Sequence, residues 1–163
     1  MIFIRHGRAI IDPKTSSREW PLDPAYLAEI AALKELVPDL PVVCSDMRRA
    51  VETAHILGAA TIDPRLAEVD RVWSEGFDEL VRRYFQGEAL DRWEPVAQAR
   101  ARFAAAVKDH GPAIFVTHGT VLTIYLVSIA PDIDAMTFWS GLSTPDAWKL
   151  DGTRVTRLSA GSG

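Results

Sequence analysis

The sequence predicts an α/β fold built on a mostly parallel sheet. Three observations carry that expectation. Short unbroken apolar runs occupy residues 2–4, 42–44 and 113–116, as in strands buried on both faces. Segments with helical spacing and helix-end residues separate them. The first and third runs each pass into His-Gly, at the carboxyl end of a strand, where sheets of this class bind their ligands.

The elements follow in order. Residues 2–4 form the first strand. Residues 8–22 are polar and proline-containing and read as a loop. Asp23 then caps a helix with Pro24 at its first position, and Leu27, Ile30, Leu33 and Val37 follow at helical spacing until Pro38 and Pro41 stop it. Residues 41–45 are the second buried strand, and residues 46–57 a helix ended by Gly58. Residues 61–66 read as a short strand or extended segment. Ser74 is expected to cap a helix reaching Gln86, with Gly87 beyond it. An alanine-rich helix covers residues 94–110 and closes at Gly111 and Pro112. Residues 113–117 are the third buried strand, 120–129 a buried helix, and 132–139 one more short helix. Residues 147–150 and 154–158 form a terminal hairpin turning at Asp151-Gly152. Residues 159–163, rich in serine and glycine, read as a frayed end.

The chain has 163 residues, 48% apolar and 25% charged, which suits one domain over residues 1–163 with a real core. A net charge of -4 argues against a nucleic-acid partner. No apolar run is long enough to span a bilayer and no leader pattern opens the chain, so no membrane partner and a cytoplasmic location are the expectation. A single cysteine, Cys44, excludes an internal disulfide and a thiolate zinc cluster.

The predicted strand ends gather Arg5-His6-Gly7, Ser45 with Arg48 and Arg49, and His118-Gly119 on one rim. Arginines present planar donor forks that match phosphate oxygens. A neutral imidazole carries a lone pair that can attack phosphorus and be phosphorylated in turn. Phosphoryl transfer needs mainly positioning and charge neutralisation, which arginines supply without a metal. It also needs an acid for the leaving alkoxide. Glu68 and Asp70 stand near the middle of the chain for that purpose, and a carboxyl beside a bound dianion has its pKa raised.

The ordered segments resemble the histidine phosphatase superfamily, also called phosphoglycerate mutase-like. Arg5-His6-Gly7 closes the first strand. Pro21-Leu22 precedes a helix, with Asp23 where the family has threonine. The stretch from Ser45 to Ala54 resembles Ser-Pro-Leu-x-Arg-Ala-x-Gln-Thr-Ala, an alignment that selects Arg49 over Arg48. Leu66-Ala67-Glu68 is similar to the family's Leu-x-Glu, and the stretch from Val116 to Val121 to its Val-Ser-His-Gly-Gly-Val. The resemblance implies a three-layer α/β/α sandwich. It implies His6 as the nucleophile, Arg5, Arg49 and His118 as holders of the phosphoryl oxygens, and Glu68 as general acid.

Four departures stand out. Asp46 replaces a proline and is expected to cap the following helix. Glu52 stands for glutamine. Arg8, after the tripeptide, is expected at the mouth of the site. The segment after Glu68 lacks the family's Gly-x-Trp-Glu-Gly run, which keeps Asp70 and Glu75 as alternative proton donors. His55 and His110 read as structural. Trp20, Trp73, Trp93, Trp139 and Trp148 read as core or cleft wall, with Trp73 at the mouth, and Cys44 as an inert core thiol.

The reading is a metal-independent phosphatase of phosphomonoesters that needs no cofactor. Its partner is a small phosphorylated metabolite or a phosphoprotein, and oligomeric state is left open. The alternatives are a phosphoglycerate-mutase-type transfer, a protein phosphohistidine phosphatase, and a non-catalytic phosphate-binding module. A mutase must exclude water, and a chain this short has little material for a lid.

Overall fold

Ile2–Arg5 forms the first strand, β1, and its apolar residues Ile2, Phe3 and Ile4 are all buried. The computed structural model describes residues 1–158. Within them the order is β1, α1 (Leu27–Lys34), β2 (Val42–Cys44), α2 (Arg48–Leu57), β3 (Ala60–Ile62), α3 (Phe77–Phe85), α4 (Val96–His110), β4 (Ile114–Thr117), α5 (Gly119–Ile129), α6 (Ala135–Gly141), β5 (Asp146–Asp151) and β6 (Arg154–Arg157). The expectation of a frayed end over 159–163 lies outside the described residues.

The strands form one six-stranded sheet in the order β3-β2-β4-β1-β5-β6. From β3 to β1 every pairing is parallel, and β5 and β6 add an antiparallel hairpin at one side. The sheet is therefore mixed and mostly parallel, as the unbroken apolar runs predict. Successive side chains on a strand point to opposite faces. Phe3, Val43 and Phe115 pack with residues of α3, α4, α5 and α6, including Tyr84, Phe103, Leu122 and Phe138. Ile2, Ile4, Val42, Cys44, Ile114 and Val116 pack on the other face with Ile30 of α1 and Ala50, Ala54 and Leu57 of α2. The result is the three-layer α/β/α arrangement. Its aromatic centre is Phe3, whose ring lies 5.4 Å from Phe115, 5.5 Å from Tyr125 and 6.1 Å from Phe103. Burying one such side chain is worth about 1.5–3 kcal/mol. Among the described residues no helix is long and apolar enough to cross a membrane.

Several local expectations change. Asp23 does cap, accepting from the Ala25 N–H, but it opens a single 3-10 turn at Pro24–Tyr26 that leads into α1. α1 ends at Lys34 and closes in a turn from Leu33 to Leu36, short of Val37. Asp46 is not a cap. Met47 holds that place, Ser45 Oγ accepts the Met47 N–H at 3.1 Å, and Asp46 pairs with Arg18. The extended segment expected over 61–66 is split into β3 and a 3-10 turn at Pro64–Leu66, because Asp63 accepts from the Arg65 N–H and bends the chain. Ser74 does not cap α3. The helix begins at Phe77, behind Gly76 at φ +72°, a backbone region that favours glycine. α4 begins after Pro95, and the Glu94 carboxylate turns back to Arg102 at 2.7 and 2.8 Å. The last short helix runs over Ala135–Gly141, set by the Asp134 side chain accepting from the Thr137 N–H.

Candidate active site

Parallel pairing decides where the two rim histidines stand. β1 and β4 pair with Arg5 opposite Thr117, so both strands stop at the same level and His6 and His118 come next. The His6 N–H extends the ladder to the Thr117 carbonyl at 3.0 Å. The two rings end with centroids 5.0 Å apart and an interplanar angle of 56°. On the other side of β4, Cys44 of β2 sits opposite Val116, and the Ser45 N–H reaches the Val116 carbonyl at 3.0 Å. Ser45 Oγ then lies 2.8 Å from His118 Nε2, while His118 Nδ1 is buried without a partner.

The tautomer of His6 follows from its neighbours. Arg49, at the start of α2, donates from Nε to His6 Nε2 at 3.0 Å. A guanidinium can only donate, so Nε2 presents its lone pair and the ring proton lies on Nδ1. That Nδ1–H donates to the Gly7 carbonyl at 2.7 Å. Arg49 Nη1 donates to the Ser17 carbonyl, which ties the loop after β1 to the same guanidinium. Arg48, its neighbour, is exposed and pairs with Glu52 at 2.7 Å. Gly7 is needed here for space. A Cβ at residue 7 would come within 2.5 Å of Ile30 Cδ1, and the Gly7 N–H donates to Thr53 Oγ1 at 3.0 Å. Arg5 donates from Nη1 to the Leu142 carbonyl at 3.2 Å, and its Nε is buried and unpartnered. The Arg5 guanidinium lies against Gly119, where a Cβ would stand 3.3 Å from Arg5 Nε.

Glu68 enters from the loop after the Pro64–Leu66 turn. Its Oε1 accepts from the N–H groups of Val69 and Val121, both at 2.9 Å, and its Oε2 from that of Thr120 at 3.0 Å. Two of these donors belong to the first turn of α5, where unpaired N–H groups and the helix dipole favour an anion. Arg102 fixes the loop itself, donating to the carbonyls of Arg65, Ala67 and Glu68 at 2.7, 2.8 and 3.2 Å. Of the two alternative carboxyls, Asp70 and Glu75 are both exposed and neither is held in this way.

The electrostatics agree with the geometry. Burial, then the charge of Arg49, hold both His6 and His118 well below the ordinary imidazole range, so both are neutral near pH 7. Burial brings Arg49 down to about 10 and also lowers Arg5, yet both stay charged. Burial alone would raise Glu68. Arg71 and the N–H donors of Thr120, Val69 and Val121 outweigh it and hold the carboxyl below its usual range. Glu68 is therefore ionised near pH 7, and the raised pKa expected from the sequence is that of a carboxyl beside a bound dianion. Burial pushes the Cys44 thiol up to about 11, as fits an unreactive core group.

The remaining residues fall away from this centre or onto its edge. Arg8 is exposed, with its guanidinium 3.7 Å from the Tyr26 ring. His55 is exposed on α2, and His110 pairs with Asp63 at 2.8 Å. Trp73 is 72% exposed, and Trp93 lines a groove beside Glu68. Two polar residues were not assigned from sequence. Ser45 holds His118, a pairing that follows from the β2–β4 register. Arg71 donates to Thr120 Oγ1 and stands 3.7 Å from Glu68 Oε2. It lies in an irregular segment with no periodicity to reveal its direction. Among the described residues no group of three or more His, Cys, Asp or Glu side chains lies together as a metal site.

No curated protein matches the chain. Solved structures do. A Thermus thermophilus protein, TTHB049, is 24% identical with a TM-score of 0.75, each chain covered to 97%. A phosphoglycerate mutase from the same organism is 25% identical with a TM-score of 0.72, over 98% of this chain and 99% of that one. A mycobacterial glucosyl-3-phosphoglycerate phosphatase is 19% identical with a TM-score of 0.69, over 91% and 87%. A family model described as the histidine phosphatase superfamily, branch 1, matches residues 1–148. Most of the chain, from β1 into β5, is thus spanned by one family, and the protein belongs to branch 1 of the histidine phosphatase superfamily.

Proposed function

We propose that the protein hydrolyses phosphomonoesters through a phosphohistidine on His6, without a metal. The observation that carries this reading is the polarised imidazole: Nδ1–H on the Gly7 carbonyl and a lone pair on Nε2 facing a guanidinium. A phosphoryl oxygen takes over the Arg49 N–H, and Nε2 is then free to attack phosphorus. Arg5, Arg49 and His118 hold the equatorial oxygens. Glu68, protonated as the dianion binds beside it, gives its proton to the leaving oxygen as the ester P–O bond breaks. The phosphoimidazolium keeps its Nδ1–H on Gly7. Glu68, now a carboxylate, takes a proton from water as that water attacks phosphorus. The P–N bond breaks, phosphate leaves, and His6 returns to its neutral tautomer.

Hydrolysis is favoured over return of the phosphoryl group to an acceptor by the open groove at Glu68. Arg18, Asp70, Val72 and Arg92, which help line it, are all exposed. The substrate in this reading is a small phosphorylated metabolite and the location cytoplasmic. The test is turnover of p-nitrophenyl phosphate with EDTA from acidic to neutral pH, beside His6→Ala. The wild type is expected to turn over, and the variant to lose at least about a thousandfold in kcat. Activity surviving in the variant removes His6 from the mechanism.

A further inference from the structure

The groove beside Glu68 has a volume of about 770 Å³, far more than a phosphoryl group needs. It meets the reactive centre at the group that must face the leaving oxygen, so the rest of the substrate has this groove to occupy. Of the arginines that line it, Arg18 pairs with Asp46, Arg102 pairs with Glu94, and Arg92 is exposed, while Arg71 is partly buried. It makes one hydrogen bond, to Thr120 Oγ1, and its guanidinium lies 4.6 Å from the Phe77 ring and 5.5 Å from the Trp93 ring. An arginine has five donors, and stacking on aromatic rings fixes its plane while leaving its edge free. The nearby carboxylates do not satisfy that edge. Glu68 is taken by three N–H groups and lies 3.7 Å away, beyond hydrogen-bond length. Glu94 is held by both arms of Arg102. In a chain of net charge -4, four arginines and three carboxylates line this groove.

We propose that Arg71 is a substrate-binding residue and that the leaving group carries its own carboxylate, which Arg71 pairs. One guanidinium neutralises one negative charge, and its planar fork fits a carboxylate edge. The inference rests on the phosphatase reading, because it assigns the leaving-group side of the same site.

The test separates binding from turnover. Dissociation constants of 3-phosphoglycerate and glycerol 3-phosphate, which differ by a carboxylate against a hydroxymethyl, are measured on His6→Ala by calorimetry. The carboxylate-bearing ester is expected to bind about tenfold tighter or more. Arg71→Met in the same background brings the ratio to about one, and Arg71→Lys keeps part of it. Equal affinities in His6→Ala, a preference that survives Arg71→Met, or no binding of either ester overturns the proposal. Hydrolysis by the chain with His6 intact is read separately. A preference in binding with no turnover upholds the Arg71 subsite and overturns the phosphatase reading.

Discussion

The His6–His118 corner and the Glu68–Arg71 loop belong to one rim, yet they are held by different forces. The corner is an extension of the sheet. Two ladder bonds of 3.0 Å, from His6 to Thr117 and from Ser45 to Val116, set its positions, and both histidines are buried. The loop has no ladder. Its carboxylate is caught by N–H groups of α5 and its carbonyls by Arg102, and Val72 and Trp73 beside it are 45% and 72% exposed. Backbone pairing thus places His6 and His118, while side-chain bonds place Glu68 and Arg71. The first part of the site is fixed and the second adjustable.

The largest way to break this comparison is Glu68→Gln. It leaves His6, Arg5, Arg49 and His118 in place and removes the acidic proton, while its NH2 replaces one of the two oxygens that accept the Val69, Thr120 and Val121 N–H groups. Turnover of an alkyl phosphate should fall about a hundredfold or more. p-Nitrophenyl phosphate, whose leaving group needs little acid, should fall much less. An equal loss on both substrates would mean that Glu68 serves the corner and not the leaving group.

The corner also has its own acid sensitivity. The folded pKa values of His6 and His118 are lowered, by burial first and Arg49 next. In the unfolded chain each titrates at about 6.5. Below that pH the unfolded chain binds protons the fold refuses. Stability is therefore full above about pH 6.5 and falls as pH drops toward the folded values, at up to about 1.4 kcal/mol per pH unit for each histidine. Urea midpoints at pH 7 and pH 5 read this directly, and His118→Asn should make the decline shallower. A midpoint that does not move would contradict the buried neutral pair.

A smaller effect sharpens the contrast in packing. Gly7→Ala forces a methyl toward Ile30 Cδ1 at 2.5 Å and should cost about 1–3 kcal/mol in urea unfolding. Val72→Ala, in the exposed loop, should stay within about 0.5 kcal/mol. Similar costs at the two positions would dissolve the distinction between fixed corner and adjustable loop.

The corner was also the legible part. Apolar runs of residues 2–4 and 113–116 announce buried strands, and parallel strands bring their carboxyl ends together, so His6 and His118 meet as a matter of topology. Arg49 was separable from Arg48 by resemblance, and the structure puts Arg49 on His6 and Arg48 in solvent. The loop was hard to read for a physical reason. Between Leu66 and Phe77 the chain is neither helix nor strand, so no period tells which side chains point inward. Arg71 is turned inward by Thr120 and two aromatic rings from distant segments, contacts that local sequence does not encode. The start of α3 was missed likewise, because a left-handed glycine outweighed a serine cap.

The register of β1 between β4 and β5 has a consequence for inheritance. Ile2 to Arg5 are matched residue for residue with Ile114 to Thr117 on one side and with Lys149 to Asp146 on the other. Losing one codon there would turn Phe3 and Ile4 to the opposite layers and shift the histidine by one rung. Codons gained or lost in the exposed stretch around Val72 and Trp73 disturb no such frame. A lineage can therefore reshape the groove beside Glu68 by insertions and deletions in one place, while the other admits only substitutions.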